Sequence, residues 1–244
     1  MIDLRMADLN IRIDNHDDYI EKQCRDYILP TDSSQTIQPE IFIQTNEWEI
    51  KQEERKLEGI WHGDGYAESI VVYEKISCQL PAFDAFVMHS SVIEVDGQAI
   101  CFAARSGTGK STHTAYWKEL LGDQVTVING DKPIYRFEGN DLMAYGTPWC
   151  GKEGWNTNTK APLKALCLLE RSDENRIWQV DGFEMLGAIM DQFYLPGGGV
   201  VDMPSLMELV DRMLTIAKVY RLSVKKEISA AKTAAEKLLT YYNS

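Results

Sequence analysis

The sequence predicts an α/β fold in which a mixed, twisted sheet forms the main domain, followed by C-terminal helices and preceded by a smaller α+β lobe. An apolar strand, a glycine-rich loop and a helix follow one another over residues 98–121. The dipeptides Asp96-Gly97 and Glu138-Gly139 are turn signals that join neighbouring strands into antiparallel hairpins. Because strand patterns outnumber helical ones in the second half, we expect a mixed sheet rather than a purely parallel one.

The chain divides into an N-terminal lobe, residues 1–85, and a main domain, residues 86–244. In the lobe, period-two hydrophobicity predicts strands, and three- and four-residue spacing predicts helices. We expect a strand over 2–13, a helix over 16–29, a short strand over 40–45 and a helix over 67–80, with turn-rich loops at 31–39 and 62–65. The acidic segment 46–58 is open to two interpretations, a solvated helix or a mobile arm.

The main domain combines many short strand patterns with a few helical ones. Strands are expected over 91–95, 98–103, 125–128, 134–137, 142–145, 164–170 and 176–180. Helices are expected over 110–121, 182–193, 204–217 and 226–242. Asp181, with Glu184 at the third helical position, forms the capping pattern that predicts the start of the second of these helices. The three glycines within 196–202 predict either a hinge or a simple connection, and we favour the connection.

Composition limits the classes of partner. The net charge is −12, which disfavours a nucleic-acid partner and leaves positive charge to local clusters. No apolar run approaches the roughly 18 residues of a membrane span, and Asp3 and Asp8 lie where a signal peptide would be apolar, so we expect a cytoplasmic protein without a membrane partner. The five cysteines include no Cys-x-x-Cys pair, which favours reduced, mostly buried thiols over a zinc or redox site.

Residues 104–112, ARSGTGKST, match the phosphate-binding P-loop pattern, except that Ala104 replaces its first glycine. In that pattern glycines turn backbone N–H groups toward phosphate oxygens, and the lysine reaches the β and γ phosphates. We therefore predict that the loop binds a nucleotide triphosphate with Mg²⁺, and ATP is the expected nucleotide. The predicted nucleotide-binding residues are Ser106, Gly107, Thr108, Gly109, Lys110, Ser111 and Thr112.

Specific chemistry is expected of a few side chains. Lys110 is expected to face solvent before nucleotide binds, and the hydroxyl of Ser111 or Thr112 is expected to bind Mg²⁺. A chance glycine-rich turn is the alternative, which the flanking apolar strand and helix disfavour. A second candidate for holding the metal or its bound water follows the next buried strand, where VTVINGDKP places the carboxylate of Asp131. The alternative for Asp131 is a turn in which the carboxylate faces water.

The order of these parts resembles the HPr kinase and phosphoenolpyruvate carboxykinase superfamily. The segment HSSVIEVDGQAICFAARSGTGKST, followed by INGDKP, carries the resemblance, which extends over about residues 86–180. In that superfamily a histidine-containing strand precedes the loop strand, and an acidic pair follows the loop; here these positions are His89 and Gly130-Asp131. The resemblance implies a P-loop kinase fold of this type and ATP-dependent phosphoryl transfer. It does not extend to residues 1–85.

The chain departs from the family at the acidic pair. HPr kinases carry Asp-Asp there, one as proton acceptor and one toward the metal, whereas this chain has Gly130-Asp131. The base must then come from elsewhere, or Asp131 serves both roles, or transfer proceeds without strong base help. His89 is the substitute that the resemblance implies, because an imidazole can orient or deprotonate a hydroxyl at neutral pH. The alternative is a buried histidine satisfied by backbone groups. Gly130→Asp should preserve transfer if the backbone admits a side chain there.

The segment 146–160 is too long and polar for a simple turn, and it predicts either a lid or a loop pinned to the body by its tryptophans. In a lid, Lys152 and Lys160 would meet an acidic substrate or the γ phosphate. The predicted function is an ATP-dependent kinase that phosphorylates a hydroxyl of a small molecule, a peptide or a protein serine. The alternatives are a non-catalytic ATP-binding regulator and, less favoured, carboxykinase-type chemistry. The acceptor is left open, and a homo-oligomer is compatible with the sequence.

Overall fold

The computed structural model describes residues 1–30, 38–57, 65–195 and 201–239. The chain forms two compact units, Met1–Phe83 with Leu195–Met203, and Asp84–Tyr194 with Pro204–Ser244. Parts of the loops predicted at 31–39, 62–65 and 196–202, and the end of the helix predicted over 226–242, lie outside the described residues. In the described ranges, no helix is both long and apolar enough to span a bilayer.

In its described residues, the first unit contains a three-stranded sheet and three α-helices. Strands β1 Ile2–Met6 and β2 Leu9–Asp14 pair antiparallel, and β2 pairs parallel with β3 Ile41–Gln44. The helices are α1 Tyr19–Cys24, α2 Glu47–Lys56 and α3 Tyr66–Gln79. Every second residue of the first two strands is buried, as their period-two pattern predicts.

Turn geometry corrects two predictions in this unit. The segment predicted as one strand over 2–13 is a hairpin, because Ala7 and Asp8 adopt φ angles of 52° and 55°, which reverse the chain. The helix predicted over 16–29 ends at Cys24 and continues only as one 3-10 turn. Hydrophobic periodicity alone therefore overestimated the length of both elements.

The acidic segment forms a helix, which decides between the two interpretations of the sequence. Asn46 accepts hydrogen bonds from the N–H groups of Trp48 and Glu49, at 3.1 and 3.0 Å. The Glu49 carboxylate accepts the N–H of Asn46 in return, at 3.0 Å. This reciprocal capping box satisfies free N–H groups at the start of α2.

The second unit is built on a nine-stranded sheet, as far as the described residues show. Its strands are β4 Ala85–Val87, β5 Ser90–Val95, β6 Gln98–Ala103, β7 Thr126–Asn129, β8 Ile134–Glu138, β9 Asp141–Tyr145, β10 Lys160–Arg171, β11 Arg176–Val180 and β12 Lys218–Val224. The order is β4-β8-β9-β10-β6-β5-β7, and β12 pairs with both β10 and β11. Because β6 pairs antiparallel with β5 and parallel with β10, the sheet is mixed, as predicted.

The long strand β10 lets the sheet change partners along its length. Its first residues pair antiparallel with β9, and its later residues pair parallel with β12. The register shifts between Leu163 and Ala165 on the side that faces β6. A strand of this length with an irregular register curls the sheet. Neither β12 nor the short β4 was predicted from the sequence.

Four helices accompany this sheet in the described chain: α4 Lys110–Leu121, α5 Leu186–Met190, α6 Met203–Ile216 and α7 Ser229–Leu238. The prediction of a helix over 182–193 was wrong in extent. Asp181 accepts the N–H of Phe183 at 2.8 Å, which forms a turn, and the helix begins only at Leu186. Helices α4 and α7 cover one face of the sheet, where buried Phe102, Trp117 and the alanines of α7 form the core.

Candidate functional site

Three predicted site segments, which contain His89, the glycine loop and Asp131, meet where the ends of neighbouring strands form one edge of the sheet. Ser90, the first residue of β5, pairs with Ala103, the last residue of β6. On its other side, the N–H of Ser90 donates to the carbonyl oxygen of Asp131 at 2.9 Å. Adjacent strands lie about 4.8 Å apart, so His89 lies between the start of the glycine loop and the Asp131 turn.

The glycine loop, residues 104–112, has an open backbone. Gly107 and Gly109 adopt φ angles of 78° and 123°, and no other atom would lie within 4 Å of a Cβ at either position. These glycines are therefore required for torsion rather than for close packing. The first turn of α4 follows directly, with the N–H of His113 donating to Gly109 and no side-chain cap on the helix start. Uncapped N–H groups at a helix N-terminus favour an anion.

The expectation that Lys110 faces solvent was wrong. Its side chain is buried, with 8% of the residue exposed, and Nζ donates to the carbonyl oxygen of Ala104 at 2.9 Å. Burial lowers the pKa of Lys110, and the nearby Asp131 carboxylate partly offsets this effect. The loop wraps around the ammonium group, which satisfies a backbone carbonyl that would otherwise lack a partner.

His89, Asp131 and Lys132 form a contiguous charged group beside the loop. His89 Nε2 lies 2.7 Å from Asp131 Oδ1, and Lys132 Nζ lies 2.5 Å from Asp131 Oδ2. Burial alone would raise the pKa of Asp131, but the hydrogen bond from His89 and the charge of Lys132 hold it well below its usual range. Asp131 is thus a carboxylate with both oxygens paired, and it is not the water-facing turn residue of the alternative interpretation.

Asn129 fixes the position of Asp131, a role that the sequence analysis missed. Its Oδ1 accepts the N–H groups of both Asp131 and Lys132 at 2.8 Å. Its Nδ2 donates to the backbone oxygen and the hydroxyl of Thr147, both at 3.0 Å. The side chain is fully buried. An Asn two residues before the candidate Asp is a local turn signal, so the motif INGDKP itself contained the information.

Gly130 has no room for the acid that the family carries there. A Cβ at this position would lie 2.9 Å from the carbonyl oxygen of Cys150 and 3.4 Å from that of Trp155. The N–H of Gly130 also donates to Trp155, at 2.8 Å. Because both obstacles are backbone atoms, they cannot move aside as a flexible side chain would.

The segment 146–159 is pinned to the body along β7. Thr157 donates its N–H to Ile128 at 3.1 Å, and Asn156 forms a bridge with Asn129. Trp149 is buried, and Trp155 packs against the core beneath Lys118, whose Nζ lies 5.0 Å from the ring centre. These contacts favour the pinned loop over the lid.

The two lysines of this segment differ in position. Lys152 is exposed near the Asp131 turn, since a Cβ at the neighbouring Gly151 would lie 3.1 Å from the Cβ of Asp131. Lys160 is the first residue of β10, and its ammonium pairs with Glu138 at 2.6 Å. It lies eight residues before Leu168, which pairs with Ala103 at the end of β6. At about 3.3 Å per residue, Lys160 lies roughly 25 Å from the loop. It therefore does not belong to this site.

Two cavities flank the glycine loop. One, of about 620 Å³, is lined by residues 107–109, by Thr112 and Tyr116 of α4, and by residues 171–173 and 224–226. The other, of about 300 Å³, lies between residues 103–105 and α5. Neither is lined by His89 or Asp131, so the charged group occupies the sheet edge beside the cavities rather than their walls.

The described residues contain no group of three or more His, Cys, Asp or Glu side chains arranged to hold a metal ion. Ser111 on α4 and Asp131 are the predicted metal-side oxygens, and Ser111 is partly exposed in the first helical turn. Oxygen ligands of this kind suit Mg²⁺, which keeps several waters and needs few protein ligands. The residues present therefore fit Mg²⁺ better than a softer metal.

Comparison with known proteins gives only a remote structural likeness. No protein-family model matches the chain, and no curated protein matches it. Among solved structures, the chain is similar to the Hpr(Ser) kinase/phosphatase from Coxiella burnetii, with a TM-score of 0.36 and 9% identity over 62% of this chain and 95% of that chain. At this TM-score the likeness supports no functional conclusion, which must rest on the site geometry.

Proposed function

We propose that the protein is an ATP-dependent kinase that transfers the γ-phosphoryl group to a hydroxyl. The observation that supports it most is the pairing of His89 with Asp131 at 2.7 Å, one strand away from the glycine loop. A protein that only binds nucleotide needs the loop and its lysine. It does not need an imidazole and a carboxylate placed beside them.

In this proposal the glycine loop is a P-loop that holds the phosphates. The uncapped start of α4 and the loop N–H groups bind phosphate oxygens, and Lys110 exchanges the Ala104 carbonyl for the β and γ phosphates. The cavity of about 620 Å³ begins at the loop and passes Thr112 and Tyr116, so it suits the nucleoside half of ATP.

His89 is the proposed general base. Asp131 Oδ1 accepts a hydrogen bond from His89 Nε2, so in the neutral imidazole Nε2 carries the proton and Nδ1 offers a lone pair. As the acceptor oxygen forms its bond to the γ phosphorus, the bond to the β–γ bridging oxygen breaks and its electron pair leaves with ADP. The hydroxyl proton passes to Nδ1. Asp131 stabilises the resulting imidazolium, as a buried carboxylate does in other histidine pairs.

Mg²⁺ would be held by Ser111 and Asp131, and it would neutralise phosphate charge. Asp131 Oδ2 is the oxygen that Lys132 holds, so a metal at this oxygen would compete with Lys132. The same pairing favours a second candidate function, a non-catalytic ATP-binding regulator, because His89 and the Lys132 ammonium already engage both oxygens of the carboxylate. The proposed acceptors are a small molecule, a peptide or a protein serine, and the proposed location is the cytoplasm, where ATP and Mg²⁺ are available.

Transfer of label from γ-labelled ATP, in magnesium buffer with pooled metabolites and peptides, tests the proposal. We expect Asp131→Asn to keep ATP affinity within about tenfold while lowering transfer by about 100-fold or more, because the loop and Lys110 still hold the phosphates. Lys160→Gln is the matched control, since it removes a charge at the far end of β10.

One result would contradict the kinase, and a second would contradict the role given to Asp131. Label that moves only to water in the parent would favour the regulator. Equal turnover by Asp131→Asn and the parent, with Lys110→Ala inactive, would move the metal and base-orienting roles to another carboxylate.

A further inference from the structure

Arg171 connects the end of β10 to the glycine loop. Its Nε donates to the carbonyl oxygen of Thr108 at 3.0 Å, and its Nη2 donates to the carbonyl oxygen of Gly107. The two partners are separated from Arg171 by more than 60 positions in the chain, so the contact is a tertiary one. The side chain is exposed and borders the cavity of about 620 Å³.

These two hydrogen bonds determine which way the loop amides face. A peptide unit is planar and trans, so its C=O and N–H groups point in opposite directions. Holding the Gly107 and Thr108 oxygens on the Arg171 side directs the N–H groups of Thr108 and Gly109 away from the guanidinium. The Thr108 N–H meets Arg105 O at 3.1 Å inside the loop.

The loop needs an external constraint of this kind. Gly107 and Gly109 both adopt positive φ, and glycine loses more conformational freedom on ordering than any other residue. A loop that is already ordered does not have to lose that freedom when a ligand binds. A guanidinium presents two N–H donors in one plane, whereas an ammonium group is a point charge, so arginine suits two consecutive carbonyls better than lysine does.

The geometry points to Arg171 as a positioning residue that orders the glycine loop for a polyphosphate before the ligand arrives. The inference deepens the proposed function, because the polyphosphate is the triphosphate of the nucleotide. Arg171 acts in it through the loop backbone and not by its charge. A direct contact with phosphate is the alternative, and it requires only the charge.

Binding measurements with Mg·ATP, inorganic tripolyphosphate and adenosine separate these roles. We expect Arg171→Lys and Arg171→Gln to weaken ATP and tripolyphosphate binding alike, by roughly tenfold, because both lose the two-donor fork. Adenosine binding should stay within about twofold, because adenosine has no phosphate for the loop to hold and the other lining residues, Thr112 and Tyr116 among them, remain. Methylguanidinium should restore part of the tripolyphosphate affinity to Arg171→Ala. Arg176→Lys, an exposed arginine on β11, is the matched control.

Each outcome decides the inference. It is overturned if Arg171→Lys binds tripolyphosphate as tightly as the parent at low salt, or if all three ligands weaken equally, which would indicate general loss of structure. If the parent protein bound neither ATP nor tripolyphosphate, both the proposed function and the proposed role of Arg171 would be contradicted. Because binding is measured and not transfer, a protein that binds ATP without phosphorylating anything would sink the kinase and leave the role of Arg171 intact.

Discussion

The glycine loop and the Asp131 turn lie at the same sheet edge, and both contain glycine for opposite physical reasons. Gly107 and Gly109 have positive φ and open space around them. Gly130 has no positive φ, and a Cβ there would lie 2.9 Å from the Cys150 oxygen. Glycine in the loop provides torsional freedom for a ligand, whereas glycine in the turn lets two backbone segments approach closely. Gly130 is therefore part of a packed turn.

Lys110→Ala should have the largest effect on the open loop. We expect nucleotide affinity to fall by at least about 100-fold and transfer by about 1000-fold, since no other loop side chain replaces the ammonium on the phosphates. Loss of the buried bond to Ala104 should also lower the free energy of unfolding by about 1–2 kcal/mol, so the melting temperature should shift modestly.

Isothermal titration with Mg·ATP, beside urea unfolding, measures both effects of Lys110→Ala. Lys160→Ala is the control, because it loses a lysine of the same sheet far from the loop. Unchanged nucleotide affinity in Lys110→Ala would show that the loop does not bind phosphates.

The contrast between the two glycine sites also shows which features of the fold and of the site could be predicted from the sequence. The order of strand, glycine loop and helix was predictable because these parts are contiguous in the chain, so local patterns indicate it. The mixed sheet was predictable from its hairpin turns. Asp131 was predicted to be a site residue from its place after a buried strand, and this role stays a prediction.

Features that depend on distant residues were not predictable. The obstacle at Gly130 comes from Cys150, twenty positions later, and no local pattern encodes it. Strand β12 was missed because most of its residues are buried, so no clear alternation of buried and exposed residues appears. Burial of Lys110 likewise depends on how the loop wraps around it.

Substitutions at the glycines test whether Gly130 is required for close packing and Gly107 for its backbone torsion. We expect Gly130→Ala to lower the free energy of unfolding by about 3 kcal/mol, because its Cβ meets backbone oxygen atoms. Gly130→Asp should do at least as much and should reduce transfer, contrary to the expectation from the family motif. Gly107→Ala is the matched variant: it meets no atom, and strain at positive φ should cost about 1–2 kcal/mol.

Urea unfolding of these three variants and the parent gives the free energies directly. Equal stability of Gly130→Ala and the parent would mean that the turn opens easily. A restored acid at Gly130 would then again be expected to support transfer.

The remaining predicted effect concerns the helix that supports the open loop. His113 lies in the first turn of α4 with 2% of the residue exposed, packed edge-on against Phe102, and its Nε2 accepts the indole N–H of Trp117 at 3.0 Å. Burial lowers the pKa of His113 to about 3, so the folded protein holds a neutral imidazole at neutral pH. The unfolded chain binds the proton first as pH falls, because an exposed histidine titrates near about pH 6.5.

The contribution of neutral His113 is complete above about pH 6.5 and is lost progressively as pH falls toward its folded pKa. Between about pH 7.5 and pH 5 the parent should lose about 2 kcal/mol of unfolding free energy through this residue. His113→Gln keeps an acceptor for Trp117 but does not titrate, so it should be less stable at neutral pH and should lose less on acidification. Asp131, whose pKa is lowered, contributes its full stabilisation above about pH 4 and loses it only below that pH, so it leaves this window unchanged. Urea unfolding of both proteins at the two pH values is the measurement. Parallel losses would mean that His113 exchanges protons with solvent in the folded state, and that the loop rests on a looser helix than the packing indicates.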